Sequence, residues 1–293
     1  MTRALLALVA ASAGACVPAR PPASPFPSAA DALARLGATY ACARGVHGEA
    51  KIDHFSSAGR VRGTVLYYAV RPARLRFDVL APPPFQSVVS TLTSDGEHFA
   101  LLDLREKRLY EGAASACNLA RLTDVPVPGH ALVSLLSGSA PLLVHDPRAA
   151  RLAWSGRGYY ELTLPSRNEA VEVLHLAPTP ADFDRPWATQ RLRVLDVRVV
   201  QQGIDLWHAE LSGHAPAVTA APLVDADGLD EPIAPSGPAC EVEVPRTVHV
   251  EVPGGDEDII VRVGDVKLNP PLPPGTFVAP DAGGASRVPV SCD

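Results

Sequence analysis

The sequence predicts one mainly β domain, and three observations carry that prediction. Apolar and polar residues alternate with period two over most of the chain, the signature of half-buried strands. Punctuation is heavy, with 30 prolines and 22 glycines in 293 residues. Helical periodicity is confined to short segments near the N-terminus and in the middle. Hydrophobic residues make up 47% but aromatics only 5%, so the core material is largely Val, Leu and Ala. That composition is globular and sufficient for a sizeable core.

The elements follow in order. Arg3, the apolar run from Ala4 to Ala11 and the small residues Ser12, Ala13, Gly14 and Ala15 lead to Cys16. A short apolar stretch behind a positive charge reads as an export signal over 1–15, too short to span a bilayer. Small residues directly before a cysteine predict a lipoprotein signal with Cys16 as the lipid anchor; a conventional signal cleaved nearby is the competing reading. By analogy with known sorting systems, Val17 in the following position leans towards the outer membrane, with the domain facing the periplasm. Residues 16–27, with five prolines, read as a semi-rigid tether. Ser28 and Asp31 predict a helix start, with the helix running to about Cys42 and Gly45 ending it.

From Val46 to Gly112 turn signals at Ser56–Gly59, Arg71–Ala73, Ala81–Phe85, Ser94–Gly96 and Arg105–Lys107 divide five or six antiparallel strands. In RLRFDVL, Leu75, Phe77 and Val79 alternate with Arg74, Arg76 and Asp78, so one face is apolar and the other wet. Residues 116–138 predict two short amphipathic helices: Leu119 and Leu122, a VPVPG turn, then Leu132, Val133, Leu135 and Leu136 stopped by Gly138. Strands resume from Arg151 to Gly213. In RLRVLDVRVV the apolar phase switches between Val194 and Leu195, which implies a bulge or bend of the kind that curls a sheet. Residues 214–239 read as a long surface loop. Val242 and Val244, then Val248, Val250 and Val252, then Ile259, Val261 and Val263 mark the last strands before an extended tail. No internal repeat breaks the span 28–293, which is taken as one domain.

Charge and motifs narrow the function classes. The formal charge is -6, and loss of residues 1–15, whose only charged side chain is Arg3, leaves -7. An acidic domain of this kind has no basic footprint for nucleic acid. There is no G-x-S-x-G elbow, H-E-x-x-H helix or phosphate loop, so neither an enzyme nor a cofactor is predicted. No cysteine pair has zinc-ligand spacing and DADG at 225–228 lacks the rest of a calcium loop, so no metal site is predicted. His47, His54 and His98 could meet around a carboxylate only if the fold brought them together; exposed strand positions are the simpler account.

The stretch from Val46 to about Pro141 resembles the lipoprotein-localisation family of the outer-membrane receptor LolB and, more loosely, the periplasmic carrier LolA. The residues that carry the resemblance are RGTVLYYAVRPARLRFDVLAPPPFQSVVSTLTSDG, LLDLREKRLYEG and LTDVPVPGHALVSLLSG, with VKLNPPLPPGTFVAPDAGG near the C-terminus. Together they cover about half the chain; residues 150–240 depart from the family in length and composition. The resemblance implies a half-open antiparallel β-barrel, lidded by short helices over an apolar concave face, that holds acyl chains of lipoproteins in transit. It also implies that the loop APPPFQS, with Pro84 and Phe85, helps place lipid in the membrane, although Phe85 packed back on the barrel rim is the competing reading. The candidate cavity residues are Leu75, Phe77, Val79, Leu92, Leu132 and Leu135; a sealed core would use the same residues.

The expected partners are acyl chains of lipoproteins or related lipids, a LolA-like periplasmic carrier, and a membrane through the anchor; the chain is expected to act as a monomer. The alternative is a structural or sensory lipoprotein that uses the same barrel to bind a protein. Apart from Cys16 the cysteines are Cys42, Cys117, Cys240 and Cys292, which in an oxidising compartment predict two disulfides with three connectivities. Cys42 ends the first helix and Cys117 opens the next, while Cys240 and Cys292 bracket the last strands, so 42–117 and 240–292 are expected.

Overall fold

The computed structural model describes residues 18–57, 59–123 and 127–292, without side chains for 121–123. Cys16, the expected signal peptide, Leu122's side chain and part of the VPVPG turn therefore lie outside the described residues. The chain opens with α1 (Ala29–Thr39). Ser28 caps it, its Oγ accepting from the Asp31 amide at 3.1 Å, and Ala29, Ala32 and Leu36 recur at helical spacing to give the buried face. The first meander is β1 (Gly45–Ser56), β2 (Gly59–Val70), β3 (Arg74–Leu80), β4 (Val88–Ser94), β5 (His98–Asp103) and β6 (Arg108–Ala113). Every one of the five expected turns falls between these strands.

Two helices follow, α2 (Ala116–Thr123) and α3 (Gly129–Leu136). Gly138 ends α3 at φ +79°, with the Ser139 amide donating to the Ser134 carbonyl and Gly138 to Leu135. That is a Schellman end, which needs the left-handed residue glycine supplies. The second meander is β7 (Arg151–Ser155), β8 (Tyr159–Pro165), β9 (Ala170–Pro178), β10 (Leu192–Gln201) and β11 (Ile204–Ser212). Then come β12 (Ala215–Val218), β13 (Glu241–Val244), β14 (Thr247–Val252), β15 (Glu257–Leu268) and β16 (Ser286–Pro289).

Fourteen strands form one sheet in the order β16-β6-β5-β4-β3-β2-β1-β15-β14-β11-β10-β9-β8-β7. All pairs are antiparallel except β16 with β6. The two meanders are joined where β1 pairs with β15, and the sheet curls without closing into a barrel. The phase switch in β10 is a bulge: the β9 pairing shifts register between Val194 and Asp196. A second shift at Gly48 and Ala50 bends β1 against β15. There a Cβ on Gly48 would stand 2.5 Å from the Asp265 carbonyl oxygen, so only glycine fits.

Most of the apolar faces turn inward onto one core, over which α1, α3 and Val127 lie, while Ala100, Leu102 and Leu109 form a smaller separate cluster covered by Ala282 and Ala285. On the second meander that core is sealed, with Leu162, Leu164, Leu174, Leu176, Leu192 and Val194 fully buried. Buried Asn269 ties the α1–β1 junction to the end of β15. Its Oδ1 accepts from the Arg44 amide at 2.7 Å, and its Nδ2 donates to the carbonyls of Cys42 and Pro238.

Three expectations are corrected. The disulfides are Cys42–Cys240 and Cys117–Cys292. Because β1 lies beside β15, the chain just before β1 meets the C-terminal part of the fold rather than its neighbour along the sequence. The long loop contributes β12, paired with β13 in a two-stranded sheet, and is pinned by bridges from Leu223 to Ile233 and Pro235 to Pro271. Residues 18–27 are a docked strap, not a free tether. Trp154 Nε1 donates to the Ala19 carbonyl at 3.0 Å, Arg20 pairs with Asp184 through two hydrogen bonds, and Phe26 is buried against Tyr160 and Trp187. The prolines that keep this segment extended also pre-order it for lying flat on the domain.

Candidate functional site

The strand directions divide the molecule into two ends. The turns after β1, β3, β5, β8, β10 and β14 share one end, here the rim; those after β2, β4, β7 and β9 share the other, the base. The concave face of the first meander is built by the register itself. Val65 faces Val79, Tyr67 faces Phe77 and Ala69 faces Leu75 across β2 and β3; Phe77 faces Leu92 across β3 and β4, and Leu92 faces Leu101 across β4 and β5.

The six candidate cavity residues separate along this face. Leu75 near the base and Leu135 on α3 are sealed, each 1% exposed, because α3 packs over β2 and β3 there. Phe77, Val79, Leu92 and Leu132 are half-buried, and Ile52 and Val261 beside them are in the same state. We call this apolar strip of the concave face the trough: it is sealed under α3 and partly exposed towards the rim through aliphatic and aromatic side chains.

At the rim the trough meets solvent-facing apolar groups. Phe85 is 81% exposed, Val61 67% and Val88 39%; Pro84 is exposed beside Phe85. Leu104 in the β5–β6 turn and Ile204 after the β10–β11 turn are also exposed at this end. Phe85 therefore projects away from the barrel. Three successive prolines, Pro82, Pro83 and Pro84, fix the backbone that carries it out.

Two buried carboxyl groups, Asp53 of β1 and Glu172 of β9, lie outside this strip. On the outer surface Asp53 is held by Arg60, Arg62 and Arg262, and the Arg60 hydrogen bond leads in keeping its carboxyl well below the usual carboxylate range. Inside, Glu172 of β9 is fully buried. Its Oε2 accepts from the Leu143 amide at 2.7 Å, its Oε1 has no hydrogen-bond partner, and burial raises its pKa from 4.5 to about 7. This carboxyl is not legible in the sequence, because Glu172 alternates in phase with Leu174 and Leu176 on an otherwise apolar face.

His47, His54 and His98 are not brought together. His47 stacks on Tyr68 and bonds the Tyr67 carbonyl, His54 pairs with Glu257, and His98 is exposed at the start of β5.

No family model matches the chain, and no curated protein matches it by sequence. Solved structures do. A domain of an outer-membrane lipoprotein-sorting protein from Vibrio parahaemolyticus is 10% identical, with a TM-score of 0.46 over 86% of this chain and 96% of that one. A LolA superfamily protein from Nitrosomonas europaea is 12% identical, with a TM-score of 0.48 over 86% and 98%. A DUF1329 family protein from Desulfovibrio piger is 9% identical, with a TM-score of 0.50 over 85% of this chain and 95% of that chain. What this chain shares with the Desulfovibrio piger protein is a fold, spread over nearly the whole length of both.

Proposed function

We propose that the chain is a lipoprotein anchored through Cys16 in the outer membrane and facing the periplasm, which takes acyl chains of other lipoproteins into the trough and releases them into the membrane. The observation that carries this reading is the continuity of half-buried apolar side chains, from Leu132 and Phe77 through Val79, with the exposed Phe85 rim. A sealed structural barrel has no use for such an opening. Each acyl CH₂ moved from water to apolar surroundings gains about 0.8 kcal/mol, so a lipid anchor in transit always needs a bilayer or a cavity. The LolB-like cycle inferred from the sequence, receipt from a LolA-type carrier and delivery to the membrane, needs no nucleotide and no covalent catalysis.

The test is site-specific photo-crosslinking of the full chain in membranes that contain lipoproteins. A photoreactive residue at Phe77 or Leu92 is expected to capture acylated peptides, while one at Leu174, in the sealed half, captures none. Equal labelling of all three sites, or none, removes the acyl-binding reading and leaves the structural or sensory one.

A further inference from the structure

The convex face of the second meander carries an unusual row of side chains. The outward positions of five consecutive sheet neighbours, β9, β10, β11, β14 and β15, place three imidazoles among carboxylates. Asp196 on β10 receives His208 Nε2 at 2.6 Å and lies 3.6 Å from His175 Nδ1. Glu251 stands between two histidines, one oxygen 3.4 Å from His208 Nδ1 and the other 3.8 Å from His249 Nε2. His249 reaches Asp258 at 2.7 Å and Glu210 at 3.9 Å.

Strand register makes this arrangement rigid: His208 faces Glu251 and Glu210 faces His249 across β11 and β14, and Glu251 faces Asp258 across β14 and β15. Two trios result, Asp196 with His208 and Glu210, and His249 with Glu251 and Asp258. In each, one donor atom per residue lies within 4.8 Å of the other two. A tetrahedral zinc with ligand bonds of about 2.0–2.2 Å spaces its ligands at about 3.3–3.6 Å, so small side-chain rotations would close either trio.

A depression of about 560 Å³ is lined by Asp196, His175, His208 and Glu251, so an ion has an open approach from solvent. The cation in its wall, Arg198, is already engaged by Asp205 through two hydrogen bonds. The carboxylates thus outnumber the positive charges available to them.

We propose that this face is a binding site for divalent transition-metal ions of the zinc class, with His208 and His249 each anchoring one trio and Glu251 placed to bridge them. Mixed imidazole and carboxylate donors favour zinc, copper or nickel over magnesium or calcium, which take oxygen donors alone. Three protein ligands per trio leave a position for water or for a ligand atom from a partner. The site lies on the face opposite the trough, and its fate is independent of the acyl-binding reading.

The test is zinc chloride titration of the metal-free, purified full chain by calorimetry, with metal content read by mass spectrometry after gel filtration. Saturable uptake is expected, unaffected by excess magnesium, together with a rise in melting temperature. His208→Ala with His249→Ala is expected to lose affinity by about tenfold or more. Because that pair also breaks ion pairs in the sheet, Glu210→Ala, at an exposed side chain, serves as the second variant and weakens uptake while the melting temperature without zinc stays unchanged. His130→Ala, on α3, leaves uptake intact. No saturable uptake at submillimolar zinc, or uptake that survives both ligand variants, overturns the proposal.

Discussion

Phe85 stands out because its neighbours give it nothing to pack on: three prolines precede it and Gln86 follows at φ +45°. A side chain that is 81% exposed contributes little to folding, so Phe85→Ser is expected to change stability by no more than about 0.5 kcal/mol. It should nevertheless reduce transfer of acylated peptide into liposomes, measured with the same protein. Glu172 is the opposite case. A carboxyl whose pKa is about 7 folded and 4.5 unfolded binds its proton more tightly in the native state. Its contribution to stability therefore falls as pH rises through that window and levels off above it, by about 3 kcal/mol in all. Glu172→Gln should abolish this slope in denaturant unfolding between about pH 5 and pH 8; an unchanged slope would show that the buried carboxyl is not its source. Alternation in RLRFDVL made the inward side of Leu75, Phe77 and Val79 legible. It did not tell floor from opening, since that depends on where α3 ends above them.

Among the elements, α3 turns one apolar strip into two environments. Leu135→Ala should cost about 2–5 kcal/mol, the range for a sealed core leucine, and Leu132→Ala distinctly less. The lipid assay should rank them the other way, with Leu132→Ala reducing acyl capture more per unit of stability lost. The disulfides divide similarly. Cys42–Cys240 spans 198 residues and Cys117–Cys292 spans 175, and loss of either is expected to cost about 2–4 kcal/mol. Only replacement of Cys117 and Cys292 by Ser should release β16 and the tail to limited proteolysis, because β16 is held on the outer edge of β6. Neither pairing was legible in the sequence, because strand order and not nearness along the chain decides which cysteines meet. The spacing of His208-x-Glu210 and of His249-x-Glu251 puts each pair on one face of its strand, yet only the β11–β14 register sets the pairs side by side.

For the whole molecule, composition and alternation were enough to read a mainly β domain with a curled sheet, and the phase switch at Val194 located one of its bends. The joining of the two meanders through β1 and β15 was not legible, because nothing local to either strand names a partner more than 200 residues away. The docking of residues 18–27 was hidden too, since a proline-rich segment looks the same whether free or laid on a surface. That strap rests against Gly156 in the β7–β8 turn, with the Ala19 amide donating to its carbonyl at 2.7 Å, and so belongs to the base of the fold. Arg20→Ala combined with Trp154→Ala should loosen it, seen as faster amide exchange across residues 19–26 with the sheet's protection retained.

Under the proposed anchoring, Cys16 precedes Pro18 by two residues, and a docked strap would put the point of attachment on the base side of the fold. Phe85 belongs to the opposite end of the fold, the rim, which at the end of the 12-residue β1 stands about 40 Å from the base. Peeled off, the ten residues 18–27 pay out about 33–36 Å of chain, nearly that same span. The released strap is thus nearly as long as the sheet is tall.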